Sequence, residues 1–201
     1  VVTGIRRQQA AQTEAELKAA AVRVFERAGY LNAKITDITA EAGRATGSFY
    51  KHFAGKEQLL EALLQDLLAE GDESAASAEH SDDFRDREAV RYHVAAYWNF
   101  YRRHRAVMDA LRQAAIVDEG FAERSRQMME PDLGHIAQHI AKVDPHGDPY
   151  VLASIFTTLV SAFAANHPPH DDEAIETLTT FIHNGIGAGR QETATGPDEQ
   201  T

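Results

Sequence analysis

Residues 43–53 read Gly43-Arg44-Ala45-Thr46-Gly47-Ser48-Phe49-Tyr50-Lys51-His52-Phe53, and this stretch decides how the head of the chain folds. Two glycines argue against an ordinary long helix, since each costs about 1 kcal/mol relative to alanine in a helix interior. Three aromatic residues in eleven argue against a solvated loop. The spacing predicts a short helix over 46–53, with Phe49 and Phe53 four apart on a face turned to a core. Gly47 and Ser48 leave the front of that helix small, and Tyr50, Lys51 and His52 offer donors.

Upstream, Thr36 reads as the cap of a short helix over 37–42 that Gly43 closes. Before it, Thr13 to Ala28 places Leu17, Ala21, Val24, Phe25 and Ala28 on one face, and Gly29 can end that helix. Two short helices joined at a glycine, with a third packed behind, make a helix-turn-helix. In that arrangement the second helix enters the DNA major groove and the first crosses the backbone. Thr36 can then meet a phosphate.

Downstream, Gly55 breaks the short helix and Lys56 opens a long one with Leu59, Leu60, Leu63, Leu64, Leu67 and Leu68 on its apolar face. Residues 71–83 are small and acidic, the pattern of a turn or a frayed helix end. Further helices are predicted at about 84–104, 106–118, 120–142, 149–166 and 172–188, with Pro131 kinking the third of these. Residues 189–201 read as a polar, flexible tail. There is no period-2 strand pattern, internal repeat or coiled-coil heptad, so the fold class is all-α with about nine helices.

Of 201 residues 43% are hydrophobic, enough for a core and too many for a disordered chain. The absence of cysteine excludes disulfides and thiolate metal sites. The N-terminus lacks the pattern of a signal peptide, and the apolar run Val151 to Ala165 is interrupted by Ser154, Thr157, Thr158 and Ser161. That run is shorter than the roughly 20 residues that span a bilayer. These features read as a cytoplasmic protein with no membrane partner. The net charge of −11 is divided unevenly. Residues 1–57 carry nine Lys or Arg against six Asp or Glu, a net of +3, which leaves −14 for the remainder. A basic head can meet phosphates while an acidic body is held away from them.

The segments L-K-A-A-A-V-R-V-F-E-R-A-G-Y (17–30), I-T-D-I-T-A-E-A-G (35–43) and T-G-S-F-Y-K-H-F-A-G-K-E-Q-L (46–59) resemble the DNA-binding head of the TetR-type transcriptional regulators. The resemblance implies a DNA-binding domain over 1–57 and a ligand-binding and dimerisation domain over 58–188. It also implies a homodimer on a palindromic operator, released by a small molecule bound in the body, with repression as the common mode; the alternative is a DNA-binding dimer that no small molecule controls. Carried over by position, Thr36, Thr46, Gly47, Ser48, Tyr50, Lys51, His52 and Lys56 fall where the family contacts DNA. Tyr50, His52 and Lys56 are assigned to phosphates, and Ser48 and Lys51 to bases. Arg6 and Arg7 suit an arm reaching the minor groove. Two positions depart from the family pattern. Arg44 replaces a buried Val, which predicts that it turns outward and adds a DNA contact. Ala45 replaces a capping Ser or Thr, which predicts that Thr46 takes over the cap.

In the body, the helix over 149–166 is apolar nearly all round, and Ile175, Leu178, Phe181 and Ile182 form a stripe on the next. A helix apolar on every side is buried on every side, so these two helices are the expected dimer interface. Tyr97, Trp98, Tyr101, Met108, Phe121, Met128, Met129 and Phe156 are the candidate lining of an apolar effector cavity. The alternative for each is ordinary core. Residues 97–140 also resemble the family's subgroup that takes long, apolar ligands. His135 and His139 have a metal-binding i, i+4 spacing, and His146, His167, His170 and His183 add imidazoles. No H-E-x-x-H or paired E-x-x-H motif accompanies them, so no metal or cofactor is expected. No G-x-S-x-G, Gly-rich phosphate loop or cysteine nucleophile supports a helical-bundle enzyme, and that reading leaves 43–53 unexplained.

Overall fold

Gly29 and Gly43 have left-handed backbone, with φ of 73° and 63°, and they close the first two helices. The fold is described from a computed structural model covering residues 2–77, 81–143, 145, 147–166 and 170–186. Among these residues there are nine helices and no strand. They are α1 (Val2–Ala28), α2 (Ile35–Glu41), α3 (Thr46–Phe49), α4 (Lys56–Ser77), α5 (Arg87–Arg103), α6 (Arg105–Val117), α7 (Glu119–Ala141), α8 (Pro149–Asn166) and α9 (Asp171–Ile186). The expected all-α class holds.

The chain forms two compact units. One holds the described residues up to 77 together with 99–131, and the other those at 81–98 and from 132 to 186. In the first, Leu17, Val24, Ile38, Phe49, Leu59, Leu60 and Phe121 are almost wholly buried in one core. α6 packs on both α1 and α4 within it. In the second, Phe84, Val90, Val94, Trp98, Ile140, Phe156 and Val160 form the buried set.

Several boundaries differ from the sequence reading. α1 begins at Val2 rather than Thr13, so Arg6 and Arg7 lie on helix instead of an extended arm. Thr13 caps nothing and turns its hydroxyl back to the Gln9 carbonyl at 3.0 Å. α4 continues through the small, acidic residues to Ser77, because Ala and Glu are good helix formers. α3 is one turn long; past Phe49 the chain tightens, with Lys51 N–H donating to the Ser48 carbonyl and His52 N–H to that of Phe49. α7 runs through Pro131. Phe181 is 66% exposed, on the side away from the buried Ile175, Leu178 and Ile182. α8 is long and apolar enough by composition to cross a membrane. The tail 189–201, His146 and His167 lie outside the described residues.

Candidate DNA interface

Gly43 builds the turn between α2 and α3. Its N–H donates to the Ala40 carbonyl at 3.1 Å and Arg44 N–H donates to that of Thr39 at 2.8 Å. This pair of bonds is a Schellman closure, which needs a left-handed residue at Gly43. α3 then leaves at once and is anchored from below. Phe49 is fully buried and Phe53 nearly so, with ring centroids 5.6 Å apart. Above this anchor Thr46, Gly47, Tyr50 and Lys51 are exposed, and Ser48 and His52 are half-buried. A Cβ on Gly47 would meet nothing within 4 Å. Thr36 is exposed on the first turn of α2 and is not its N-cap. Lys34 is the residue before that helix, and its N–H donates to the Asp37 carboxylate at 3.2 Å.

The two unusual positions take their own courses. Arg44 turns outward as expected but meets Glu16 of α1, with Nε donating at 2.9 Å and a second guanidinium nitrogen on the same oxygen. Gln12 and Arg44 together hold the Glu16 carboxyl below its usual range. Ala45 precedes α3 without any side-chain cap. Thr46 does not take the cap over: it is the first helical residue, and its hydroxyl lies 3.4 Å from that of Thr39.

Lys56 is the main difference from expectation. Its ammonium donates to the carbonyls of Tyr30 and Ala33, both at 2.8 Å, and sits 4.3 Å from the Tyr30 ring centroid. Burial lowers its pKa. Tyr30 in turn donates to Glu57 at 3.2 Å, and burial followed by the Glu57 charge pushes its phenol up. Lys56 thus ties the start of α4 to the linker after α1, a role invisible to a motif that places it beside phosphates.

The eight aromatic and Met positions proposed as a cavity lining divide between the units. Phe121, Met108 and Met128 belong to or pack on the first unit's core, and Met129 is exposed. Tyr101 is buried and donates to Asp109 at 3.0 Å; burial and that carboxylate push its phenol up to about 12. In the second unit Trp98 and Phe156 are buried, and Tyr97 meets Phe156 edge-on at 5.5 Å. The structure adds a pair that helical spacing did not reveal. His93 Nδ1–H donates to the Ala89 carbonyl at 2.8 Å, which leaves Nε2 to accept from His139 Nδ1 at 3.2 Å. The partners are 46 residues apart, so only an alignment of α5 with α7 could have revealed them. His135, itself exposed, meets His139 edge-on with ring centroids 4.5 Å apart. Among the described residues no three His, Asp or Glu side chains are placed to hold one metal ion.

Residues 17–63, which contain α2, the Gly43 turn and α3, match the family described as bacterial regulatory proteins of the tetR family. Residues 17–63 form a tetR-family segment. The chain is 35% identical over 103 residues to the HTH-type transcriptional repressor NicS of Pseudomonas putida, covering 51% of the chain and 48% of NicS. The chain thus spans about half the length of that relative. It is 26% identical over 182 residues to the HTH-type transcriptional regulator YhgD of Bacillus subtilis, covering 84% of the chain and 94% of YhgD. Among solved structures it superposes on a bacterial regulatory protein of the tetR family from Rhodococcus RHA1 with a TM-score of 0.71 at 19% identity, covering 88% and 98% of the two chains. The fatty acid degradation regulator FadR from Bacillus halodurans gives 0.66 at 17%, covering 90% and 96%. At these identities the structural likeness speaks for the fold. The relatives and neighbours are regulators, and the enzyme reading has no counterpart among them.

Proposed function

We propose that this chain is a dimeric transcriptional repressor of the TetR family that binds a palindromic operator and is released by a small, largely apolar effector. The observation that carries the DNA reading is the exposed tip of Thr46, Gly47, Tyr50 and Lys51 on a short helix anchored by buried Phe49 and Phe53. Ser48 and Lys51 read bases, while Thr36, Thr46, Tyr50 and His52 meet phosphates, with Gly47 permitting close approach. Lys56, which the family pattern assigns to DNA, and Arg44, which departs from that pattern, serve the head's own structure first. The functional division we propose, a DNA-binding part over 1–57 and a ligand-binding and dimerisation part over 58–188, does not coincide with the two compact units.

The dimer reading is supported by α8 and α9. Val151, Ile155, Thr158 and Ala162 recur on one exposed stripe of α8, and Tyr150, Phe163 and Phe181 are exposed beside it or on α9. Such a face needs a partner. A second copy suits it better than a membrane, because Ala153, Phe156, Val160 and Ala164 of the same helix are already buried in protein. The effector reading is supported by Tyr97 against Phe156, aromatic groups in the unit remote in sequence from the head. The protein acts where its DNA is, in the cytoplasm.

The test is selection of duplexes from a random pool by the purified chain. A recovered two-fold-symmetric sequence is expected, with half-sites about 34–36 Å apart. Lys51→Ala is expected to weaken specific binding by about 1–3 kcal/mol and relax one base position. Recovery of no shared sequence would count against the reading.

A further inference from the structure

Of the nine cations in residues 1–57, the structure engages five. Lys18 pairs with Glu14 and Asp66, Arg23 and Arg27 with Glu41, Arg44 with Glu16, and Lys56 binds carbonyls. Of the remaining four, Lys34 and Lys51 flank the helix-turn-helix. Arg6 and Arg7 do not: they lie on the first turns of α1, ahead of the residues 17–63 that match the family.

Among the described residues nothing accounts for that pair. Residues 4–12 are all exposed, a Cβ on Gly4 would meet nothing within 4 Å, and no Asp or Glu occurs before Glu14. A three-turn helical segment with no buried face is marginal by itself. Its place is nevertheless defined. Glu16 of α1 holds Arg44, and Glu14 lies 3.8 Å from His52, so α1 at 14–16 flanks the tip of the recognition segment. Arg7 is seven residues before Glu14, two turns back on the same face and about 10 Å along the axis. The start of α1 therefore projects past the recognition segment on its Arg44–His52 side, carrying unpaired positive charge.

We propose that residues 2–12 of α1 are a second DNA-contacting element that lays Arg6 and Arg7 against backbone phosphates flanking the bases read by α3. The inference rests on the DNA reading of the head given above. Continuity with the recognition segment selects duplex DNA as the occupant over the acidic body of another chain. Phosphates supply the interaction partner that packing does not, and they do so without reading sequence.

The experiment compares the full-length chain with its Arg6→Gln/Arg7→Gln variant on a duplex selected by the wild type, at a series of KCl concentrations. Losing two phosphate contacts per head lowers the slope of log K against log[salt] by about 2 per head, and affinity falls about 60-fold per head near 0.1 M salt. The melting temperature and base preference stay as in the wild type, since both arginines are exposed and outside the core. A variant with wild-type affinity and slope overturns the proposal, whether or not its oligomeric state changes. So does a loss of affinity at unchanged slope, or an altered base preference. If the wild type selects no duplex, the reading of the head itself falls and this inference falls with it; normal selection with an unaffected variant removes this inference alone.

Discussion

At the scale of single residues, the two glycines of 43–53 have different reasons. Gly43 needs its left-handed backbone to close α2. Gly47 has neither a positive φ nor a neighbour that a methyl group would strike, so its small size has no internal use. Gly47→Ala is expected to leave the melting temperature unchanged or raise it, since alanine gains up to about 1 kcal/mol in a helix. Operator binding by the same variant should drop; unaltered binding in a mobility-shift titration would refute the close-approach role. Lys56 makes the opposite case. Lys56→Ala strands the Tyr30 and Ala33 carbonyls, and the expected cost is about 2 kcal/mol in chemical denaturation. A variant with wild-type stability and a flattened salt slope would return Lys56 to the phosphates. Motif reading singled out both residues. It could not tell which had an internal partner, because Tyr30 and Ala33 are more than twenty residues away.

At the scale of elements, α3 is short and lacks a side-chain cap, and its position rests on the Phe49–Phe53 anchor below and the Schellman turn before it. Ala45→Ser supplies a hydroxyl to the free amides of the first turn and is expected to stabilise the head by about 0.5–2 kcal/mol, read as an increase in the denaturation midpoint. No gain would mean that those amides are satisfied in another way. The helix periodicity of α4 to α9 was legible because apolar residues recur every three to four positions. The start of α1 and the end of α4 were not, since exposed helical turns carry no apolar period and depend on propagation from the packed part of the same helix.

At the scale of the whole molecule, the exposed stripe of α8 and the buried histidine pair each make a measurable demand. Ile155→Asp puts a charge on the proposed interface, so the chain is expected to sediment as a monomer and lose cooperative operator binding while its helix content is retained. A stable dimer in that variant would place the interface elsewhere. Burial, reinforced by His93 and His135, lowers the pKa of His139 to about 4, with Asp82 opposing and Lys142 adding to the shift. An unfolded histidine binds a proton near pH 6.5. The native state is therefore at its full stability above that pH and loses stability as the pH falls toward 4, by up to about 3 kcal/mol from this group. His139→Asn should flatten that part of the stability profile, measured by urea denaturation from pH 7 to pH 4. An unchanged profile would assign the pH dependence to other groups.

The helical class, the position of the Gly43 turn and the two faces of 43–53, one aromatic and one small and polar, are all legible in the order of the residues. These are properties of near neighbours, set by backbone freedom at glycine and by side chains three or four apart on one helix. Which charges are available to a partner depends instead on how the helices pack. Arg44 finds Glu16, Lys56 finds the Tyr30 and Ala33 carbonyls, and His93 finds His139, while Lys51, Arg6 and Arg7 remain exposed. Pairing depends on distance in space, and the chain brings those partners together only when the helices pack.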